Sequence, residues 1–159
     1  MASIELVRDF LGQKRLAFVG VSQRPKDYSR ALFREFCARG YEAIPVNPKV
    51  AEIEGRRSFA RVSDIEPVPD GVVALTSSAV TASLVGEWID AGVKRVWMCR
   101  TTGKGAVSQE AVGRCQAHGV AVVAGECPFM FLTGDYVQGG GWFHHLHARI
   151  KKMTGAYPR

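Results

Sequence analysis

Apolar residues recur along this chain in two alternating patterns: short unbroken runs, and stripes with a spacing of three to four residues. The runs fall at residues 16–21, 42–46, 71–75, 95–99 and 120–124. Unbroken apolar runs of this length, bounded by turn residues, read as strands buried on both faces of a parallel sheet. The stripes lie between them. Residues 4–11 predict a short N-terminal helix with Ile4, Val7, Phe10 and Leu11 on one face. Residues 29–39 predict a helix with Leu32, Phe33, Phe36 and Cys37 inward and Gly40 as its stop signal. Residues 79–91 predict another, with Val80, Leu84, Val85, Trp88 and Ile89 inward, and residues 109–118 a further one. The stretch 49–69 reads as a loop region with short helical turns at 51–54 and 62–65. Residues 142–153 read as a closing helix.

Regular alternation of strand and helix implies an α/β fold: a doubly wound parallel sheet of five strands, with helices on both faces joined by right-handed crossovers and a C-terminal helix. Gly139, Gly140 and Gly141 form a flexible joint. The expected division is therefore a main domain at 1–131 and an extension at 132–159, packing on that domain or on a second subunit. A homodimer through the extension is the simplest assembly.

A length of 159 residues supports one domain with a real core. No apolar run approaches the roughly 18 residues of a membrane span, and residues 1–11 lack a signal-peptide core. The expected location is the cytoplasm. The four cysteines, Cys37, Cys99, Cys115 and Cys127, show no CxxC spacing, so zinc and redox motifs gain little support and reduced, partly buried thiols are expected. A net charge of +6 suits an anionic ligand. The basic residues are scattered and no aromatic RNA-binding motif is present, which argues against nucleic acid.

In such folds ligands bind beyond the carboxyl ends of the strands. After the first run come Gly20, Val21, Ser22, Gln23, Arg24 and Pro25. A glycine there permits close approach of backbone to a ligand, and the next helix presents N–H groups that attract phosphate. Arg24, Lys26 and Arg30 add positive charge. The other reading is an ordinary turn with solvated basic residues. The full GxGxxG fingerprint is absent. After the second run come Asn47, Pro48 and Lys49. NAD-binding folds carry an acid near this point; a lysine suits a ribose bearing an extra phosphate, as in coenzyme A or NADP, or marks a simple turn. After the third run, Thr76, Ser77 and Ser78 cap a helix or hydrogen-bond a ligand. After the fourth, residues 100–105 form a polar glycine-containing loop without P-loop spacing. After the fifth come Gly125, Glu126, Cys127 and Pro128.

Taken in order, VGVS, VNPK, Thr-Ser-Ser and the late Cys-Pro resemble the small stand-alone CoA-binding domain family, similar to the CoA-binding domain of the succinyl-CoA synthetase α subunit. The resemblance spans residues 15–131. It implies a Rossmann-like sheet of expected order 3-2-1-4-5. It implies that Gly20, Val21 and Ser22 lie against the CoA pyrophosphate and that Asn47, Pro48 and Lys49 lie beside the adenosine, with Lys49 placed for the 3′-phosphate. It further implies that Thr76, Ser77 and Ser78 border adenine and pantetheine, and that Cys127 and Pro128 lie near the pantetheine side. The basic loop 100–105 and the extension depart from the family pattern.

The phosphorylated histidine of the synthetase belongs to a different domain, so the resemblance carries no ligase activity. His144, His145 and His147 cluster in the expected tail helix, where packing through Trp142, Phe143, Leu146 and Ile150 is the plainer role than a metal site. Cys127 near a pantetheine end invites a mixed disulfide with CoA, against a purely structural role. No nucleophile–base pair is evident. The expectation is binding of coenzyme A or an acyl-CoA without catalysis. The alternatives are an NADP-dependent reductase, a CoA-transferring enzyme, or an interaction module with a vestigial pocket.

Overall fold

The computed structural model describes residues 3–100 and 103–132. The expected tail helix, its three histidines and nearly all of the extension lie outside the described residues. The elements follow in the order α1 (Ile4–Leu11), β1 (Arg15–Val19), α2 (Tyr28–Ala38), β2 (Glu42–Val46), β3 (Glu52–Ile53) and β4 (Arg56–Arg57), then β5 (Gly71–Ala74), α3 (Ser78–Ala91), β6 (Arg95–Met98), α4 (Gln109–Ala117) and β7 (Ala121–Ala124).

Five strands form a fully parallel sheet in the order β2-β1-β5-β6-β7. The third long strand thus pairs with β1, on the side opposite β2. The position outside β2 is taken by a single parallel bridge between Val46 and Phe59. Counting that bridge as a vestigial third strand recovers the expected 3-2-1-4-5 arrangement, with β7 added beyond it. Phe59 donates its N–H to the Pro45 carbonyl at 3.0 Å and accepts from the Asn47 N–H at 2.9 Å. Lower on the same edge, Arg56 donates to the Ala43 carbonyl at 3.1 Å. The β2 edge is therefore blunted, as exposed sheet edges generally are.

Side chains alternate across the sheet and give it two apolar faces. Leu16 and Phe18 point to the face covered by α1 and α2, where Phe18 meets Phe33 and Phe36 edge-on with ring centroids 5.4 and 5.1 Å apart. Ala17 and Val19 point to the other face, with Val85 and Trp88 of α3 and Cys115 of α4. The doubly wound architecture follows from this arrangement, because each strand is apolar on both sides. Among the described residues no helix is long and apolar enough to cross a membrane.

Two local expectations are corrected. Residues 51–54 are not a helical turn. Glu54 and Gly55 both adopt positive φ, 51° and 75°, and reverse the chain between β3 and β4. Val80 does not point inward and is 42% exposed. The buried line of α3 runs through Thr81, Val85 and Trp88, and Val80 lies about 100° away from Thr81 around the helix.

Candidate functional site

A cleft of about 240 Å³ opens beyond the carboxyl ends of β1, β5 and β6. Gly20 and Ser22 contribute from the end of β1, and Asp27, Tyr28 and Ser29 from the start of α2. Leu75 and Thr76 follow β5; Cys99, Gly105 and Ala106 follow β6. The chain leaves β1 toward β2 on one side and returns to β5 on the other. The cleft therefore lies at the topological switch point, where open α/β sheets bind ligands.

Gly20 leaves β1 with φ of 92°. A Cβ at this position would lie 3.0 Å from both the Leu75 carbonyl oxygen and the Thr76 Cγ2. Only glycine both adopts this backbone conformation readily and lets the β1 and β5 ends close on each other.

The loop after β1 is held by its own polar groups. The Ser22 N–H donates to the Ser29 hydroxyl at 2.8 Å, and that hydroxyl donates to Asp27 Oδ1 at 2.8 Å. Asp27 also accepts the Ser29 N–H at 2.9 Å, as the N-cap of α2. The Ser22 hydroxyl accepts the Arg24 N–H at 3.0 Å, which leaves its own proton for donation. Asp27 was missed by sequence reasoning, although an acid directly before a helix is a readable capping signal. Its charge already occupies the positive end of α2, so that helix end attracts phosphate less than a bare one.

Arg30, expected at a phosphate, turns instead to the Ser22 and Gln23 carbonyls and to Glu54. Val21 is fully buried. Arg24 and Lys26 are exposed on the loop. At the end of β2, Asn47 Nδ2 donates to the Val21 carbonyl at 3.0 Å, and its Oδ1 accepts the Lys49 N–H at 2.9 Å. Pro48 and Lys49 are exposed beside it. None of these residues lines the cleft itself.

At the end of β5, the Thr81 hydroxyl donates to the Ser77 carbonyl at 3.0 Å and lies 2.7 Å from the Thr76 hydroxyl. Thr81 has one hydroxyl proton, so Thr76 is the donor in that pair. Thr76 thus offers the cleft an acceptor, suited to an N–H of a ligand. Ser77 is the N-cap of α3 and accepts the Val80 N–H at 3.3 Å, and Ser78 opens the helix. Cys127 and Pro128 are buried away from the cleft. Cys127 Sγ lies 2.9 Å from the Tyr28 hydroxyl, behind the cleft wall. Cys99, which was not singled out in the sequence, is the thiol that lines the cleft.

Burial raises the pKa of Cys99 strongly, with nearby Cys127 acting in the same direction. Burial also raises that of Cys127, against the opposing effect of the Tyr28 hydrogen bond. The Tyr28 hydroxyl is likewise held protonated, chiefly by burial. Burial thus favours the protonated form of all three groups. Among the described residues, no three His, Cys, Asp or Glu side chains group as a metal site.

Residues 14–133 match the model of the CoA-binding domain family. The chain belongs to that family. The match nearly coincides with the span of the resemblance read from the motifs. This chain is 28% identical over 114 residues to the uncharacterized protein YneT of Bacillus subtilis, covering 72% of this chain and 82% of that one. It has the fold of a hypothetical protein from Pyrococcus horikoshii OT3, with a TM-score of 0.73 at 24% identity over 98% of this chain and 94% of that one. It also resembles part of the dinucleotide-forming acetyl-coenzyme A synthetase 1 of Ca. Korarchaeum cryptofilum. There the TM-score is 0.64 at 25% identity, covering 76% of this chain but only 27% of the synthetase.

Proposed function

We propose that this CoA-binding domain holds coenzyme A or an acyl-CoA by its phosphorylated adenosine end and catalyses no reaction. The observation that carries this reading is the cleft at the β1–β5 switch point, closed by Gly20 against Leu75 and Thr76. The pyrophosphate lies along Gly20, Val21 and Ser22, with Arg24 and Lys26 adding charge at the rim. The ribose 3′-phosphate meets Lys49, presented by the Asn47–Pro48 turn. Thr76, Ser77 and Ser78 border the adenine or the pantetheine, with Thr76 as an acceptor. Cys127 and Pro128 back the pantetheine side through Tyr28. A cleft of about 240 Å³ is below the usual range for ligand pockets, roughly 300–1,000 Å³. It takes one portion of the ligand, and the remainder runs across the outer loops. The absence of chemistry is argued from the buried, protonated state of Tyr28 and Cys99 and from the commitment of Asp27 to Ser29.

The test is thermal stability with CoA, acetyl-CoA, dephospho-CoA, NADP and NAD, for the native chain and for Lys49→Ala. A ligand at 100 times its Kd stabilises the fold by about 2.7 kcal/mol. The expected result is a rise in Tm with CoA, a smaller one with dephospho-CoA, and loss of that difference in Lys49→Ala. A rise with NADP alone would transfer the pocket to a reductase. Equal loss of both CoA forms in Lys49→Ala would remove the 3′-phosphate from Lys49.

A further inference from the structure

Beside the loop that follows β1 lies an ion cluster whose members do not line the cleft. Arg30 and Arg34 stand one turn apart on α2 and converge on a single oxygen, Oε1 of Glu54. Arg30 reaches it through Nε at 3.1 Å and Nη2 at 2.6 Å, and Arg34 through Nη1 at 3.0 Å. Both forks also donate to backbone carbonyls of the loop. Arg30 Nη1 donates to the Ser22 and Gln23 carbonyls, each at 3.2 Å, and Arg34 Nη2 donates to the Pro25 carbonyl at 3.0 Å. The Arg30 side chain is only 13% exposed.

Glu54 reaches this position at a conformational cost. Its φ of 51° makes it the sole non-glycine residue with positive φ among the described residues. Such backbone is unfavourable for a residue with a side chain and persists where the surroundings enforce it. The arrangement has a directional consequence. Each trans peptide points its N–H opposite to its carbonyl. With the carbonyls of Ser22, Gln23 and Pro25 drawn to the arginines, the N–H groups of Gln23, Arg24 and Lys26 face away from them; that of Arg24 is given to the Ser22 hydroxyl, which leaves those of Gln23 and Lys26 for a ligand. A carbonyl bound to a guanidinium also polarises its peptide and strengthens the N–H as a donor. Without Glu54, two like charges one turn apart on α2 would repel each other.

We propose that Glu54 is the positioning residue of the binding loop: it orients Arg30 and Arg34, which hold the loop carbonyls outward so that the N–H groups of Gln23 and Lys26 serve the phosphates of the nucleotide. Arg30 is then a clamp on the loop and not itself a phosphate ligand. This inference rests on the CoA reading above for the ligand, and on the hydrogen bonds alone for the clamp.

The test compares the native chain with Glu54→Gln, Glu54→Asp and Arg34→Gln, the last at a half-exposed site that leaves the core untouched. Two quantities are read: CoA affinity by calorimetry, and amide hydrogen exchange at residues 22–26. In Glu54→Gln, CoA affinity falls roughly tenfold, exchange at 22–26 accelerates, and exchange in β1 and β5 is unchanged. Arg34→Gln shows the same pattern more weakly, and Glu54→Asp restores part of the affinity. Tighter CoA binding by Glu54→Gln would overturn the proposal and make Glu54 a competitor that keeps Arg30 from the phosphate. Unchanged exchange at 22–26 would overturn the clamp whether or not CoA binds. Failure of the native chain to bind CoA would instead overturn the functional reading, with the exchange data still deciding the clamp.

Discussion

The side-chain amide of Asn47 donates to the backbone carbonyl of Val21 at 3.0 Å and ties the end of β2 to the end of β1. The same side chain accepts the Lys49 N–H at 2.9 Å, forming a short turn that fixes where Lys49 leaves the sheet. One residue thereby sets the spacing between the proposed pyrophosphate loop and the proposed 3′-phosphate cation. Asparagine is suited to this because it carries one donor and one acceptor on the same planar group.

Replacing Asn47 by aspartate separates the two bonds. Asn47→Asp keeps the acceptor for the Lys49 N–H but places a carboxylate oxygen against the Val21 carbonyl. The expected cost is about 1–3 kcal/mol of stability, read from urea denaturation. CoA affinity falls more than in Asn47→Ala, which removes both bonds without adding a charge. Equal affinities for the two variants would show that the Val21 bond does not set the loop spacing.

At Gly20 the backbone and the neighbours act in the same direction. Gly20→Ala must hold φ near 92° and fit a methyl group 3.0 Å from the Leu75 carbonyl and from Thr76 Cγ2. Strain of this kind costs on the order of 1–3 kcal/mol. The expected outcome is a lower Tm together with loss of CoA binding, since the methyl group separates the β1 and β5 ends that form the cleft. A variant with native Tm and native affinity would show that the two strand ends part freely.

Much of this was legible in the pattern of apolar positions. Residues 4–11 and 42–46 are helix and strand with the expected bounds, and the other long elements expected within the described residues differ by a residue or two at their ends. Long apolar runs and stripes report burial directly, and burial decides these elements. The β3–β4 hairpin was not legible, because two-residue strands carry no periodicity and the turn depends on the backbone of Glu54. Nor was the partner of Arg30: Glu54 lies 24 residues further on, and charge spacing within a helix gives no access to it. In the cleft, Gly20, Ser22 and Thr76 were found because they follow strands directly. Cys99 lies in its own apolar run and reads as core. Lys49 and the Cys-Pro pair are placed by the fold beside or behind the cleft, and their ligand roles belong to the proposal.

The cysteines give a prediction in which pH decides the sign. Burial raises the pKa of all four thiols, that of Cys115 from its ordinary 9.0 to about 11. Cys37 is half-buried and the other three are buried. In the native protein, iodoacetamide labels Cys37 first, and Cys99, Cys115 and Cys127 react only after unfolding in guanidinium. Oxidised CoA adds no mass at Cys99, Cys115 or Cys127 of the native protein at pH 7.5, because burial disfavours the thiolate that would attack its disulfide and expel CoA thiolate. A gain in mass of one CoA less two hydrogens at Cys127 would show a reactive thiol and restore the mixed-disulfide reading. The same shifts tie stability to alkaline pH. A thiol whose pKa is higher in the folded state stabilises the fold fully below its unfolded pKa, and that contribution is lost as pH rises through the folded value. For Cys115 the loss falls between about pH 9 and about pH 11. Urea denaturation across this window shows a shallower decline in Cys115→Ala than in the native chain. An identical decline in both would mean that Cys115 titrates in the fold as it does in water.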